Sequence, residues 1–505
     1  MSGARPDNWP EAKTQLDAGR PALIWRRLIA DCETPVGAAL KLIEPGRGDF
    51  LLESVQGGEV RGRYSLLGLD PDLVFRAAGH QAEVNREWQH NRSGFSPLKG
   101  DALAELRALV NRCRIDVPDV LPKALACLVG YFGYETIGLV ENLPRAPQSP
   151  LELPDMLFVR PTLILVFDRL SDALWCVAPV WPEGVTPEAL LNAAEERIDE
   201  ALRRLAAPAP VSINAADMPE PVLTPTLPEG RYRDLVLRAQ DYITAGDIFQ
   251  VVLAQRFTTP FTLPPFALYR ALRRVNPSPF LYFLDLPGFA LIGSSPEILV
   301  RVRDGEVTIR PIAGTRPRGK SPQEDDANEA SLLADPKERA EHLMLLDLGR
   351  NDVGRVAAKG SVRVTESYTV ERYSHVMHIV SNVVGQLDTE KYDAVDALFA
   401  GFPAGTVSGA PKVHACEIIA ELEPETRGAY AGGVGYFAPD GSVDSCIVLR
   451  TGVVKDGMLH VQAGAGIVAD SDPAYEQREC EAKAGALIAA ANEALRVARE
   501  AGFGQ

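Results

Sequence analysis

Between Ala22 and Arg204 short apolar runs of strand length alternate with polar stretches. Phe50-Leu51-Leu52-Glu53-Ser54-Val55 reads as a strand with Gly57-Gly58 as its turn. Met156 to Phe167 and Ala173 to Ala178 read as neighbouring strands joined at Asp168 to Asp172, and Pro187 to Leu205 as an amphipathic helix. Between Ala206 and Gly230 the pattern stops, because Pro208, Pro210, Pro219, Pro221, Pro225 and Pro228 exclude regular structure. It resumes with a helix ending near Gly246. Strands follow at Gln250 to Phe257, Phe280 to Leu286, Phe289 to Gly293, Ile298 to Arg303 and Val307 to Pro311. Arg303-Asp304-Gly305-Glu306 and Lys455-Asp456-Gly457-Met458 are hairpin signals. This interleaving predicts an α+β protein, with two antiparallel β-sheets packed together and helices outside. At 505 residues one core is not enough, so two closely associated lobes are expected: 20–205 and 231–499, joined by a Pro-rich linker at 206–230.

Two helix starts repeat one pattern. Asp335-Pro336-Lys337-Glu338-Arg339-Ala340-Glu341 offers an N-cap, a proline suited to the first helical position, and two glutamates three apart on one face. Asp472-Pro473-Ala474-Tyr475-Glu476-Gln477-Arg478-Glu479 does the same. Four carboxylates from two such helices could hold a hard divalent cation. Glu338 also stands at capping-box spacing from Asp335, and the helix dipole favours acids in a first turn, so local spacing fits capping and metal binding alike.

Composition narrows the function classes. The hydrophobic fraction of 46% and charged fraction of 24% are those of an ordinary soluble globular protein. A net charge of −16 argues against nucleic-acid binding, so an anionic substrate would need a locally positive or metal-bearing site. The seven cysteines are scattered without a C-x-x-C pair, which fits reduced thiols. Met1 to Ala22 has no apolar signal core, and Val120 to Val140 is interrupted by Lys123 and Glu135, so no membrane span is expected. The expectation is a soluble cytoplasmic protein.

Several stretches carry chemistry. Gly401-Phe402-Pro403-Ala404-Gly405-Thr406-Val407-Ser408-Gly409-Ala410-Pro411-Lys412 is a small-residue turn that fits anion binding or a plain capped turn, but not a P-loop, since Pro411 stands where glycine is needed. Gly464 and Gly466 end a strand beside the second glutamate pair, which suits close backbone approach to a ligand. Arg450 lies in an apolar run read as a strand interior, where it must meet an acid or fork onto a carboxylate ligand. His378 fits a general base or a structural histidine. Glu297 sits at a turn entering a strand, where a raised pKa would suit a general acid.

The blocks IGSSPEILV, PIAGTRPRG, DPKERAEHLMLLDLGRND, RYSHVMHIVSNVVGQL, FPAGTVSGAPK and GAGIVADSDPAYEQRECEAKAGAL occur in this order. Together they closely resemble the chorismate-utilising enzyme family, over about Thr34 to Ala490. The resemblance implies a Mg²⁺ site at Glu338, Glu341, Glu476 and Glu479. It implies Glu297 as the acid assisting loss of the C4 hydroxyl of chorismate, His378 in pyruvate elimination, and Thr406 as a substrate-contacting threonine. Gly314, Thr315, Tyr430, Arg450, Gly464, Gly466 and Lys483 match substrate-binding positions.

Within that family, isochorismate- and salicylate-forming members carry a water-activating Lys where this chain has Gln250. Aminodeoxychorismate-forming members typically carry a nucleophilic Lys where this chain has Ala313. The resemblance is therefore to the anthranilate-forming branch, with ammonia as the attacking group. Glu53, Ser54, Asn276, Pro277, Ser278, Pro279, Phe280 and Cys446 resemble that branch's tryptophan feedback pocket, which puts regulation in the first lobe and chemistry in the second. No G-x-C-x-G-type nucleophile is present, so the resemblance is to the two-chain form, a hetero-oligomer fed with ammonia by a glutamine amidotransferase subunit. The alternatives are an aminodeoxychorismate-forming subunit and a non-catalytic chorismate- or tryptophan-binding regulator.

Overall fold

The computed structural model describes residues 6, 8–56, 60–209, 219–373 and 376–500, without the side chains of 55, 56, 60 and 61. The expected Gly57-Gly58 turn, His375 and the 210–218 part of the Pro-rich stretch lie outside the described residues. The described residues form two antiparallel sheets of twelve strands each, with helices around them. In the first sheet the order is Ala22–Ile29, Ala173–Val180, Leu163–Asp168, Val60–Leu69, Phe50–Gln56, Phe280–Leu286, Phe289–Ser295, Thr451–Lys455, Met458–Ile467, Gln250–Pro260 and Thr224–Pro225, and the twelfth strand, Gly409–Ala410, also pairs with Gln250–Pro260. The α+β reading is correct.

The two halves are joined by strand pairing, not by packing alone. Phe50–Gln56 pairs with Phe280–Leu286 in the first sheet, with Ser54 opposite Phe280. Leu128–Phe132 pairs with Gly433–Phe437 in the second. One hydrophobic cluster accordingly runs from Ile24 through Phe158 and Phe283 to Leu487.

The chain repeatedly crosses from one sheet to the other at short breaks. Met156 to Phe167, read above as one strand, is two. Pro161 has no N–H for the ladder, so Met156–Arg160 ends in the second sheet and Leu163–Asp168 begins in the first. Phe289–Ser295 lies in the first sheet and Ile298–Arg303 in the second, while Val443–Ile447 lies in the second and Thr451–Lys455 in the first. These last two crossings run side by side: the Ser295 hydroxyl donates to the Ile447 carbonyl at 2.6 Å, and the Ile447 N–H donates to the Glu297 carbonyl at 3.1 Å. The strand read at Val307 to Pro311 is Glu306–Ile309, and a further strand, Ile312–Pro317, follows it in the same sheet.

Both glutamate helices form as read, Pro336–Gly354 and Pro473–Arg499. The Asp335 side chain accepts the N–H groups of Lys337 at 2.9 Å and Glu338 at 3.4 Å, and Asp472 accepts that of Tyr475 at 2.7 Å. In the first helix His342, Leu345, Leu346, Gly349, Asp352 and Val353 recur at helical spacing on the buried face, which leaves Glu338 and Glu341 off the core.

Candidate active site

The paired crossings place Glu297 and Arg450 at the junction of the two sheets. Glu297 is buried, and its Oε2 accepts the Thr406 hydroxyl at 3.0 Å. Burial raises its carboxyl pKa to about 8, with the Thr406 hydrogen bond pulling the other way. It is therefore a protonated acid at neutral pH.

Arg450 is not in a strand interior as the apolar run suggested. It follows Val443–Ile447 in the crossing to Thr451–Lys455, in left-handed conformation at φ 47°. Its carbonyl accepts the Ser294 N–H at 3.2 Å, which fixes the turn. Its guanidinium has no ion-pair partner among the described residues, and burial holds its pKa below the usual range. A desolvated, unpaired fork of five N–H groups is suited to an anionic ligand.

His378 faces the same space from Val376–Gln386, opposite Thr315 on Ile312–Pro317. A bulge between Ala313 and Thr315 turns the Gly314 carbonyl toward it, at 3.0 Å from Nδ1, with the Thr315 hydroxyl at 3.1 Å. Gly314 has φ 74°, and a Cβ there would stand 3.1 Å from Glu338 Oε2, so one glycine serves both the histidine and the first glutamate. Burial lowers the His378 pKa, partly offset by the Gly314 hydrogen bond.

The glutamates approach one another between the two helix starts, which Lys337 and Asp470 tie together at 3.0 Å. Burial raises the Glu341 pKa and the charges of Glu338 and Glu479 raise it further. Burial raises Glu476 as well, Ser471 opposes it, and the Glu479 charge adds. No three His, Cys, Asp or Glu side chains among the described residues close on one point. Arg316 holds Glu338 at 2.8 Å, and Lys483 holds Glu479 at 2.7 Å. Glu338 bonds to Arg316 rather than back to Asp335, and Asp335 caps alone, so the capping-box alternative fails. The donor set fits a divalent cation in its chemistry: hard oxygen donors, crowded enough that their charges destabilise one another.

Close packing supplies the remaining wall. Gly464 and Gly466 lie on Met458–Ile467, opposite Ala254 and Val252. A Cβ on Gly464 would come within 2.8 Å of the Tyr430 hydroxyl, and one on Gly466 within 2.6 Å of Gln250 Nε2. Tyr430 OH accepts the Gly464 N–H, Lys483 donates to the Gly464 carbonyl at 2.9 Å, and Gln250 hydrogen-bonds Glu341. Glu297, Thr406, Arg450, His378, Thr315, Gly314 and the glutamates thus form one linked constellation with Tyr430, Gly464, Gly466 and Lys483.

A model of the chorismate binding enzyme family matches residues 49–489. The chain belongs to that family. Among chorismate-binding enzymes it is 54% identical to anthranilate synthase component 1 of Cereibacter sphaeroides, covering 96% of this chain and 98% of that one. It is 47% identical to the component 1 of Pseudomonas aeruginosa, over 92% and 94%. The crystal structure of anthranilate synthase component I from Streptococcus pneumoniae superposes with TM-score 0.75 at 35% identity, covering 92% of this chain and 99% of that one. The menaquinone-specific isochorismate synthase of Escherichia coli shares the fold, with TM-score 0.68 at 20% identity over 94% and 99%.

The second candidate cluster also gathers. Ser54 and Phe280 are opposite one another, Phe280 is opposite Ser295, and Ser295 hydrogen-bonds the Cys446 thiol. Asn276 closes the helix Pro265–Val275, and Pro277, Ser278 and Pro279 lead from it into Phe280–Leu286. Asn276 is buried, and its Nδ2 has no hydrogen-bond partner among the described residues. Glu53 is already engaged, accepting from Tyr269 at 2.7 Å, Arg273 at 2.6 Å and Arg169 at 3.0 Å. The sequence reading missed Tyr373, whose ring meets His378 at 5.5 Å and whose hydroxyl donates to Glu371 at 2.7 Å. It missed Arg316 as the partner of Glu338. No spacing rule singles out either one.

No helix among the described residues is long and apolar enough to cross a membrane.

Proposed function

We propose that this chain is the chorismate-converting subunit of a two-chain anthranilate synthase, acting in the cytoplasm in the tryptophan-forming direction. The observation that carries this reading is the buried Glu297, bonded to Thr406 at the sheet junction it shares with Arg450, a guanidinium without an ion-pair partner among the described residues, with His378 held by Gly314 on the same space. Arg450 and the Gly464 region bind one carboxylate of chorismate. Glu338, Glu341, Glu476 and Glu479 would hold Mg²⁺, which when bound neutralises the ring carboxylate and stabilises developing charge.

Ammonia attacks C2 as the ring double bonds shift and the C4–O bond breaks. Glu297 gives its proton to the departing hydroxyl, which leaves as water. The amine sheds the proton it gained in the attack, His378 takes the C2 proton while the ring bond to the enolpyruvyl oxygen breaks, and the enolate that leaves takes up a proton at its methylene carbon to become pyruvate, leaving the aromatic amine. Gln250 and Ala313 offer no lysine for activating water or for forming a covalent adduct, which leaves ammonia as nucleophile.

The test is anthranilate fluorescence from the purified chain with chorismate, Mg²⁺ and ammonium. Isochorismate or aminodeoxychorismate as sole product would overturn the proposal. Glutamine should replace ammonium only when a glutamine amidotransferase subunit is added. Glu341→Gln is expected to cut turnover by about a hundredfold or more and to weaken Mg²⁺ binding measured calorimetrically. Unchanged affinity would remove that glutamate from the metal site, and wild-type turnover that Glu341→Gln abolishes would exclude a non-catalytic regulator.

The cluster around Ser54 and Asn276 is the proposed tryptophan site. The buried, unpartnered Asn276 amide has hydrogen-bonding capacity that an amino-acid ligand would satisfy. Tryptophan is expected to inhibit the wild type, and Ser54→Phe to raise the inhibitory concentration at least tenfold by filling the space opposite Phe280. Undiminished inhibition in Ser54→Phe would place the site elsewhere.

A further inference from the structure

Behind the site, between the helix Lys412–Leu422 and the strand Gly433–Phe437, lies a buried ion pair that takes no part in the steps above. Arg427 is 3% exposed and Glu423 4%. The Arg427 guanidinium is held by both Glu423 oxygens, at 2.8 and 2.5 Å, and Glu423 Oε1 also accepts the Ala254 N–H at 2.8 Å. Its remaining donors reach two backbone carbonyls, Val407 at 2.7 Å and Val252 at 2.7 Å. Its planar face lies over two rings, 4.6 Å from Tyr134 and 5.6 Å from Tyr430.

Three of these contacts are one step from the proposed chemistry. Val407 follows Thr406, the hydrogen-bond donor to Glu297. Val252 is on the strand whose Gln250 bonds Glu341, and its N–H donates to the Ser408 carbonyl at 2.8 Å. Tyr430 accepts from Gly464. A buried ion pair is weak evidence for stability, because desolvation offsets most of the attraction. What it supplies here is geometry, a rigid fork spanning three separate segments.

We propose that Arg427, oriented by Glu423, is a positioning residue for the reaction, fixing the Thr406 turn, the Gln250 strand and the Tyr430 ring in one arrangement. This role rests on the function proposed above. Arg427→Lys keeps the charge but loses the fork, and is expected to lower kcat about a hundredfold, the scale for a misplaced reacting group. If the effect passes through Thr406, the Arg427→Lys/Thr406→Val double variant should be no slower than the slower single variant. A cavity of about 220 Å³ lined by Glu423, Arg427, Tyr134 and Cys416 gives small cations a place to enter. Millimolar guanidinium chloride should therefore restore at least tenfold of the activity lost in Arg427→Ala.

Single effects that multiply in the double variant would overturn the passage through Thr406, and Arg427→Lys within about threefold of wild type would overturn the role itself. So would Arg427→Ala losing activity in step with its Tm and without response to guanidinium. If Arg427→Ala does not fold, Arg427→Lys and the double variant decide. Wild type without anthranilate turnover sinks the functional reading and this role together, whereas active wild type with unimpaired Arg427→Lys sinks only the role.

Discussion

Glu297→Gln is expected to lower kcat about a thousandfold while leaving the fold intact. The substitution keeps the shape of the side chain, and the glutamine oxygen can still accept the Thr406 hydroxyl that now reaches Glu297 at 3.0 Å. What it removes is the transferable proton. Burial pushes that carboxyl to about 8, so it is protonated at neutral pH and can give the departing hydroxyl its hydrogen. A neutral carboxyl also avoids setting a further anion against a substrate carrying two carboxylates. The pH profile follows with its sign. Turnover needs the protonated form, so wild-type kcat should fall as pH rises through about 8. Thr406→Val should move that limb upward, because the hydroxyl donates to, and so favours, the ionised form. In Glu297→Gln the limb should vanish. A basic limb that persists unchanged in Glu297→Gln, or a loss under tenfold, would mean another group protonates the leaving oxygen.

The parts of the architecture legible in the sequence are those with local causes. Pro187–Leu205 and the two Asp-Pro helices follow from a cap, a first-turn proline and apolar residues at helical spacing. The turn residues Lys455-Asp456-Gly457-Met458 likewise marked the hairpin of Thr451–Lys455 and Met458–Ile467. What the pattern does not carry is the crossing between sheets. A strand buried on both faces reads as a continuous apolar run, so nothing in Cys446 to Leu449 marks where the second sheet ends. That is why Arg450 looked like a charge inside a strand, when it is the residue that turns the chain at φ 47°.

The glutamates show the same limit from the other side. Spacing put each pair on one helix face but could not say that the helices meet, nor that Arg316 and Lys483 hold one carboxylate of each pair. Glu297 and Thr406 are more than a hundred residues apart, and their hydrogen bond depends on the Thr406 turn standing against a sheet crossing. Only the family blocks made these separate stretches a single site before the structure joined them. Arg316 and Tyr373 stand inside quoted blocks, but their partners, like the Glu423–Arg427 pair, are visible in three dimensions alone.

The second large effect is expected at His378, and it differs in kind. Nδ1 lies 3.0 Å from the Gly314 carbonyl, which can only accept. The ring hydrogen is therefore assigned to Nδ1, leaving the Nε2 lone pair free to take a proton. Burial depresses the His378 pKa and the Arg450 charge adds to this, with the Gly314 hydrogen bond opposing both. The imidazole is neutral at pH 7, and only acid below its ordinary range should protonate it and stop the step. His378→Ala removes the base for the C2 proton but leaves Glu297, Thr406 and Arg450 in place. Amination with loss of water should therefore continue while pyruvate release slows by about 10²- to 10³-fold. The expected result is accumulation of an aminated ring that still carries its enolpyruvyl group, resolved by chromatography and mass, with little pyruvate in a coupled assay. Anthranilate and pyruvate appearing together at the wild-type ratio would show that His378 does not serve the second step. Loss of chorismate consumption altogether would move it to the first.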